Sequence, residues 1–461
     1  MESQATFDVS AAIDRRKLGG FTAGLVVVSW LVTFFDGYDM NVIAFTSKPL
    51  QTSFHLTDPM MSLVFSIGIF GTMVGGIIFG FVGDRVGRRP TIIVATGLFS
   101  LLTVALAFSQ SYHQLLALRL LNGMALGGAM PLIWALNMEF APKRYRATVI
   151  TLIMLGYGFG VAAGGPIARL ILPRFDWQGV FVFGGAASFL ATLLLLVWLP
   201  ESLRLLVLTG RQPQAAARIL QRMGIEIPDG AARGTVRLVL ADEGAASRKI
   251  FNPAMLFQGN LRWLTPLLWA AYFSSSISTF FLTTWGPRVL QDMHFSADHA
   301  AWLSSANSLC GMIGGTALMS FTDRHGALVI AILPIVAAPL LLVAGLAPMN
   351  LTVFLVFSIA ISITLGGSHF GITSIIAMFY PSSIRANGSG WASAVAKIGS
   401  MLGPIVGGYV LAAGLKGRPI YALLAVCPAV YAVCLILIGW VERRDPGFEA
   451  SMGAAEVPAA E

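Results

Sequence analysis

Charge is what this 461-residue chain has least of. Asp, Glu, Lys and Arg together make up 11%, against roughly 25% in a soluble domain. So few charged groups cannot cover the surface of a soluble globular enzyme, and that class is excluded. Cysteine is almost absent too. Cys310, Cys427 and Cys434 all fall inside apolar runs, and an odd number without ligand spacing supports neither a disulfide framework nor a zinc site. The six histidines are scattered, and His-Glu-x-x-His and Gly-x-Ser-x-Gly are both missing. No metal, no cofactor and no catalytic residue is therefore expected. The net charge of +8 sits in the loops of an apolar chain, which is not the footprint of a nucleic-acid binder.

What the chain has instead is apolar length. Hydrophobic residues make up 56%, enough for twelve bilayer spans of about 20 residues each. Uninterrupted apolar stretches place them at 20–47, 61–82, 91–108, 115–138, 147–172, 179–199, 262–285, 301–322, 327–347, 351–379, 388–414 and 420–441. The 325–384 region holds no Asp, Glu, Lys or Arg. Ala347-Pro348-Met349-Asn350 supplies the turn that splits it in two.

Orientation follows from the basic residues of alternate loops. With the N-terminus inside, 21 of the 30 Lys and Arg are cytoplasmic and 6 are external, so both termini are expected in the cytoplasm. The first twenty residues lack a cleavable-signal pattern, and the first span is expected to direct insertion. The organisation is then a tail (1–19), a six-helix half (20–199), a cytoplasmic linker (200–261), a second half (262–441) and a C-terminal tail (442–461).

The two halves repeat at a single offset of 239 residues. Asp84-Arg85-Val86-Gly87 returns as Asp323-Arg324-His325-Gly326, and Pro142-x-x-x-Arg146-Ala147 as Pro381-x-x-x-Arg385-Ala386. Gly127-Gly128 pairs with Gly366-Gly367, and Gly160 and Gly164 pair with Gly399 and Gly403. Parallel repeats of six helices, with a substrate site near the midplane, are an architecture of secondary transporters. Glycines in such spans allow close helix approach.

The segment Gly80-x-x-Gly83-Asp84-Arg85-x-Gly87-Arg88-Arg89 resembles the signature loop of the major facilitator superfamily. Its echo at 323–326, Arg119-x-x-x-Gly123, and Pro200-Glu201-Ser202 resemble that superfamily as well. Within it, Asp36-Gly37-Tyr38-Asp39 is similar to the Asp-Gly-x-Asp motif of aromatic acid:proton symporters. The resemblance covers residues 18–442. It implies an all-α membrane protein, with 12 transmembrane helices in two pseudo-symmetric six-helix halves. It also implies import of 4-hydroxybenzoate, protocatechuate, benzoate or a related anion. Lys397-x-Gly399 stands where the family more often has arginine; lysine keeps the charge but not the flat two-pronged donor.

Ionisable groups deep in a bilayer are costly, and each is a functional candidate. Asp36, Asp39 and Arg119 lie at matching depth, in the outer halves of spans 1 and 4; a carboxylate–guanidinium pair is expected among them, and the three are the expected proton-coupling group. Lys397, near mid-depth in span 11, is the expected partner of a substrate carboxylate. His369, Tyr38, Trp134, Trp391 and Phe273 are candidates for contact with an aromatic ring. The Ser274–Thr284 stretch of span 7 is polar on more than one face and is expected to line water. At the cytoplasmic helix ends, Asp84, Arg85, Arg88, Glu139, Arg146, Asp323, Arg324, His325 and Arg385 are expected to act as gating latches.

The expected function is proton-coupled import of an aromatic carboxylate by alternating access. The protein is expected to be a monomer of the inner membrane, whose partners are lipid, protons and a small organic anion. The rival on the same fold is a proton antiporter exporting a drug or organic anion, implied by the partial resemblance of Gly156–Pro166 to the glycine-proline motif of antiporters.

Overall fold

The computed structural model describes residues 6–209, 213–228, 236–240, 253–325, 330–375, 379–380 and 384–444. Apart from one short sheet, it is helical. The chain opens with strand β1 (Thr6–Asp8) and helix α1 (Val9–Asp14), which Asp8 caps by accepting from the Ser10 and Ala11 amides. Five helices then follow closely: α2 (Gly20–Phe45), α3 (Ser47–Phe54), α4 (Asp58–Val86), α5 (Arg88–Leu106) and α6 (Tyr112–Phe140). The long α7 (Arg146–Trp198) comes next, then α8 (Leu203–Thr209), α9 (Pro213–Arg222) and strand β2 (Arg237–Val239). The remainder is α10 (Leu261–Asp292), α11 (Ala297–His325), α12 (Ile332–Leu346), α13 (Leu351–Ile375), α14 (Arg385–Ala412), α15 (Pro419–Leu424) and α16 (Val426–Arg444).

Among the described residues, every apolar stretch singled out in the sequence overlaps one or more of these helices. Two of them share α7, which breaks at Asp176 (φ 52°, ψ −165°) just after Pro173. Among the described residues, eight helices are long and apolar enough to cross a bilayer. α10 and α11 are long but more polar, and α12 is apolar with 15 residues. Large hydrophobic side chains such as Ile77, Leu170 and Val197 lie more than 70% exposed. In water such surface would drive aggregation; in lipid it is the expected exterior.

The 239-residue repeat reappears in the helix boundaries. α4 and α11, α6 and α13, and α7 and α14 begin at that spacing. The glycine contacts repeat too. A Cβ on Gly160 would run into the Phe34 carbonyl, and one on Gly399 would lie 2.6 Å from the Phe273 carbonyl, each partner again 239 residues on. Gly75 against the Met124 carbonyl and Gly314 against that of Ile363 (2.6 Å) form a second such pair. With no hydrophobic effect between helices in lipid, close backbone approach is what makes these crossings stable.

By contacts the described residues divide into two compact units. One lies within residues 1–40, 70–161 and 178–248, the other within 41–69, 162–177 and 249–461. In the first, the N-terminal segment and the linker are joined: β1 pairs in parallel with β2, Phe7 opposite Leu238. Val9, Ile13, Leu203, Leu220 and Leu238 enter the same apolar cluster as Leu25, Ile92 and Ile133 of the spans. In the second unit, α10 packs against α14 and α16, and α11 against α13. Its core includes Leu264, Leu268, Tyr380, Ala392 and Tyr431.

Candidate functional site

The first unit holds a buried charged network. Arg119 Nη1 donates to Asp39 Oδ2 at 2.9 Å, with both side chains no more than 2% exposed. The Thr103 hydroxyl donates to Asp39 Oδ1 at 3.4 Å and to the Phe99 carbonyl at 2.9 Å. Asn122 then donates to Thr103 Oγ1 at 2.8 Å. Asp39, Thr103, and Arg119 with Asn122 come from α2, α5 and α6 respectively, so one network ties three helices. Arg119 and Asn122 are three residues apart, which puts both on one face of α6.

The pairing of Arg119 with an aspartate from span 1 is as the sequence suggested, and the partner is Asp39. Thr103 and Asn122 are additions. Asn122 was detectable as a second polar residue three positions after Arg119 in an apolar run, whereas nothing in span 3 marked Thr103. Arg119 Nε is buried without a hydrogen-bond partner among the described residues. A network with a spare donor in low dielectric responds strongly to any change in its charge. Asp36, almost one turn earlier, is also buried.

Tyr38 sits between these aspartates but faces away from open space. It is 1% exposed, donates to the Val180 carbonyl at 3.1 Å, and lies over Gly184. In this conformation it packs helix on helix and offers no ring face to a ligand. Trp134 is half-buried against the apolar clusters of the same unit, and its indole N–H has no hydrogen-bond partner among the described residues.

In the second unit, His369 on α13 meets α10. Its Nδ1 lies 3.1 Å from the Ser275 hydroxyl, with Tyr272 and Phe280 ring centroids 5.8 and 6.4 Å away. The serine-rich stretch is largely buried: Ser275, Ser276 and Ser278 are 1% exposed or less. Helix bonding absorbs much of its polarity, as Ser278, Thr283 and Thr284 donate to carbonyls three or four residues back. Lys397 lies near the middle of α14 with its side chain exposed. Trp391, nearly two turns earlier, stacks on Trp269 at 6.2 Å.

The latch candidates whose side chains are described fall into three groups. Arg88 pairs with Glu139, which also accepts from Ser202 Oγ (2.7 Å) and the Arg204 amide (3.3 Å). Asp84 and Arg85 are exposed, with the Arg85 guanidinium 3.9 Å above the Phe81 ring. Arg146 and Arg385 do the same job in each half of the sequence. Each Nε donates at 3.3 Å to a carbonyl five residues back, Ala141 and Tyr380 respectively. The repeated arginine thus makes the same local contact in each half of the sequence. The side chains of Asp323, Arg324 and His325 lie outside the described residues.

Glu201 explains the signature loop physically. Its Oε1 accepts from the Arg88 and Arg89 amides at 3.1 and 3.2 Å, satisfying the orphan donors at the start of α5. Gly87 supplies the turn with φ 127°, and a Cβ there would lie 2.8 Å from Glu201 Oε2. Gly87→Val is therefore expected to destabilise the protein by about 1–3 kcal/mol. The check is the melting temperature in detergent, with Gly80→Ala, which has nothing within 4 Å, as the neutral control.

Comparison with known proteins supplies the rest. The family model of the Major Facilitator Superfamily matches residues 29–297 and 268–461. The 4-hydroxybenzoate transporter PcaK of Pseudomonas putida is 28% identical, over 95% of this chain and 97% of that protein. The gallate transporter of Pseudomonas putida is 30% identical, over 94% and 95% respectively. Among solved structures, the inward open xylose transporter XylE from E. coli superposes with a TM-score of 0.71 at 17% identity. That match covers 89% of this chain and 95% of XylE.

Proposed function

We propose that this chain, which belongs to the Major Facilitator Superfamily, is a proton-coupled importer of an aromatic carboxylate that works by alternating access. The superfamily makes it a membrane transporter and not an enzyme. The substrate class is supported by relatives, aligned over nearly their whole length, that are named for 4-hydroxybenzoate, gallate and benzoate. The observation that carries the coupling is the buried Asp39–Arg119 pair. An ionisable pair is costly at that depth, and the proposal gives it a task beyond joining helices.

In this reading Asp39, and Asp36 beside it, exchange a proton as the transporter alternates, and Arg119 holds the carboxylate in place between exchanges. Lys397 meets the substrate carboxylate and His369 a ring hydroxyl, with Trp134 and Trp391 as further ring contacts. Arg88 with Glu139, and the helix ends around Asp84, Arg85, Arg146, Asp323, Arg324, His325 and Arg385, form the inner latches. Both termini lie on the cytoplasmic side of the inner membrane, and the protein acts as a monomer. Bringing an anion inward works against about 2.3 kcal/mol per charge per 100 mV, which one co-transported proton cancels.

The test is uptake of labelled 4-hydroxybenzoate, protocatechuate, benzoate and a non-aromatic dicarboxylate into proteoliposomes with acid imposed outside. Accumulation of the aromatic acids alone, abolished by a protonophore, is the expected result. Exit of preloaded acid as protons enter overturns the importer reading in favour of export.

A further inference from the structure

A hydroxyl has one proton to give, and Thr103 stands between two acceptors for it. The Phe99 carbonyl of its own helix lies 2.9 Å from Thr103 Oγ1, and Oδ1 of Asp39 on α2 lies 3.4 Å away. The Asn122 amide of α6 occupies one lone pair of the same oxygen at 2.8 Å, and also donates to the Phe99 carbonyl at 3.4 Å. Oγ1 is thereby held in place from α6 while its proton keeps two places to go. Thr103 and Asn122 are each 1% exposed, so bulk water does not compete for that proton.

The two oxygens of Asp39 are not equivalent. Oδ2 accepts from Arg119 Nη1 at 2.9 Å, while Oδ1 has only the longer contact to Thr103 among the described residues. A proton arriving at the carboxylate meets the less engaged oxygen, Oδ1. α2 itself carries Asp36 and Tyr38 beside Asp39, α6 supplies Arg119, and α7 brings Tyr157 against Gly37. α5 adds no charge at this level, because Arg88 and Arg89 are its first residues. What α5 gives Asp39 is the hydroxyl.

We propose that Thr103 is a positioning residue for proton exchange at Asp39, its hydroxyl turning between Oδ1 and the Phe99 carbonyl as the carboxyl loses and gains a proton. The inference rests on the proton-coupling reading of Asp39. With Asp39 ionised, Thr103 donates to Oδ1, and the charge makes that bond the stronger of the two. When a proton from outside forms an O–H bond at Oδ1, the Thr103 hydroxyl turns to the Phe99 carbonyl. Its second lone pair then accepts from the new O–H. Release of the proton to the inside reverses both changes. Thr103 keeps its own proton throughout, Arg119 stays on Oδ2, and neither state leaves Oδ1 unsatisfied in low dielectric.

Net uptake needs the proton to leave Asp39 in every cycle. Exchange of labelled for unlabelled acid at equal pH needs only the loaded transporter to shuttle. The experiment measures both rates in proteoliposomes with 4-hydroxybenzoate, protocatechuate and benzoate. Thr103→Val removes the hydroxyl at nearly equal shape, Thr103→Ala removes it with the methyl, and Thr103→Ser keeps it. The two hydroxyl-free variants are expected to lower the ratio of pH-driven uptake to exchange about tenfold, the range of one hydrogen bond to a charged group. Thr103→Ser is expected to restore the wild-type ratio. An unchanged ratio in Thr103→Val, whether both rates persist or fall together, overturns the inference. So does a Thr103→Ser ratio as low as that of Thr103→Ala, or failure of both hydroxyl-free variants to give a monodisperse protein. A wild type that carries none of the acids, or exchanges them without accumulating them under a pH gradient, instead defeats the coupling reading, and the inference with it.

Discussion

Replacing Asp39 by Asn and Arg119 by Gln together is expected to give a folded protein that no longer accumulates substrate. Either change alone is expected to do worse. Both side chains are almost fully buried and bonded to each other at 2.9 Å. Removing one charge strands the other in low dielectric, which costs about 3–5 kcal/mol. Asp39→Asn and Arg119→Gln should therefore each reduce the yield of folded transporter. The double variant removes both charges, keeps similar volumes, and leaves Asn122 and Thr103 to hydrogen-bond one another as before.

The double variant separates the two roles the pair can play. If the ions only tie α2 to α6, neutralising both restores folding and transport together. If Asp39 carries the proton, folding returns but accumulation against a gradient stays down by about 100-fold or more, the range over which proton-transfer groups act. Melting temperature and size-exclusion profile report folding; uptake driven by a pH gradient reports coupling. Recovery of both readouts rejects the coupling role.

Gly160→Leu and Gly399→Leu are expected to be the most damaging substitutions outside the charged network. At each position a glycine meets the backbone carbonyl of the helix it crosses, Phe34 for one and Phe273 for the other. A backbone carbonyl within a helix cannot swing aside as a side chain can. The helices must separate, and the cost exceeds the 1–3 kcal/mol typical of an overpacked core, by an amount set at about 4 kcal/mol or more. Loss of the monodisperse peak in detergent is the expected readout for both. Retention of that peak by either variant contradicts the close crossing.

The equivalence of those glycines was readable in the sequence, and so were the spans. Apolar stretches long enough for a bilayer leave little choice of structure, because only a helix satisfies its own backbone in lipid. Matching depths also paired Arg119 with an aspartate of span 1. The choice of Asp39 over Asp36 was not readable, since the two lie three residues apart and helix rotation decides which meets α6. Thr103 was hidden for another reason: threonine in a span ordinarily returns its hydroxyl to its own helix, and Thr103 does so as well, to the Phe99 carbonyl, so nothing local marks its further contact with Asp39. Tyr38, read as a ring contact, packs inward because Gly184 leaves room for its ring.

The cytoplasmic segments were the least legible. β1 and β2 are three residues each and are separated by more than 200 residues. Neither shows a periodicity, and nothing local announces that the N-terminal segment and the linker share one apolar cluster. The signature loop was recognisable as a pattern, but its physical cause needed the structure. Glu201, 113 residues after Arg88, caps the helix that Arg88 begins.

The most direct test of proton-coupled import is the movement of protons that substrate itself causes. 4-Hydroxybenzoate added to a weakly buffered suspension of energy-depleted cells expressing the transporter, with the membrane potential clamped, should make the outside medium transiently more alkaline. The Asp39→Asn/Arg119→Gln double variant should give no such signal. Acidification of the medium, or uptake of the labelled acid with no change in external pH, contradicts the account.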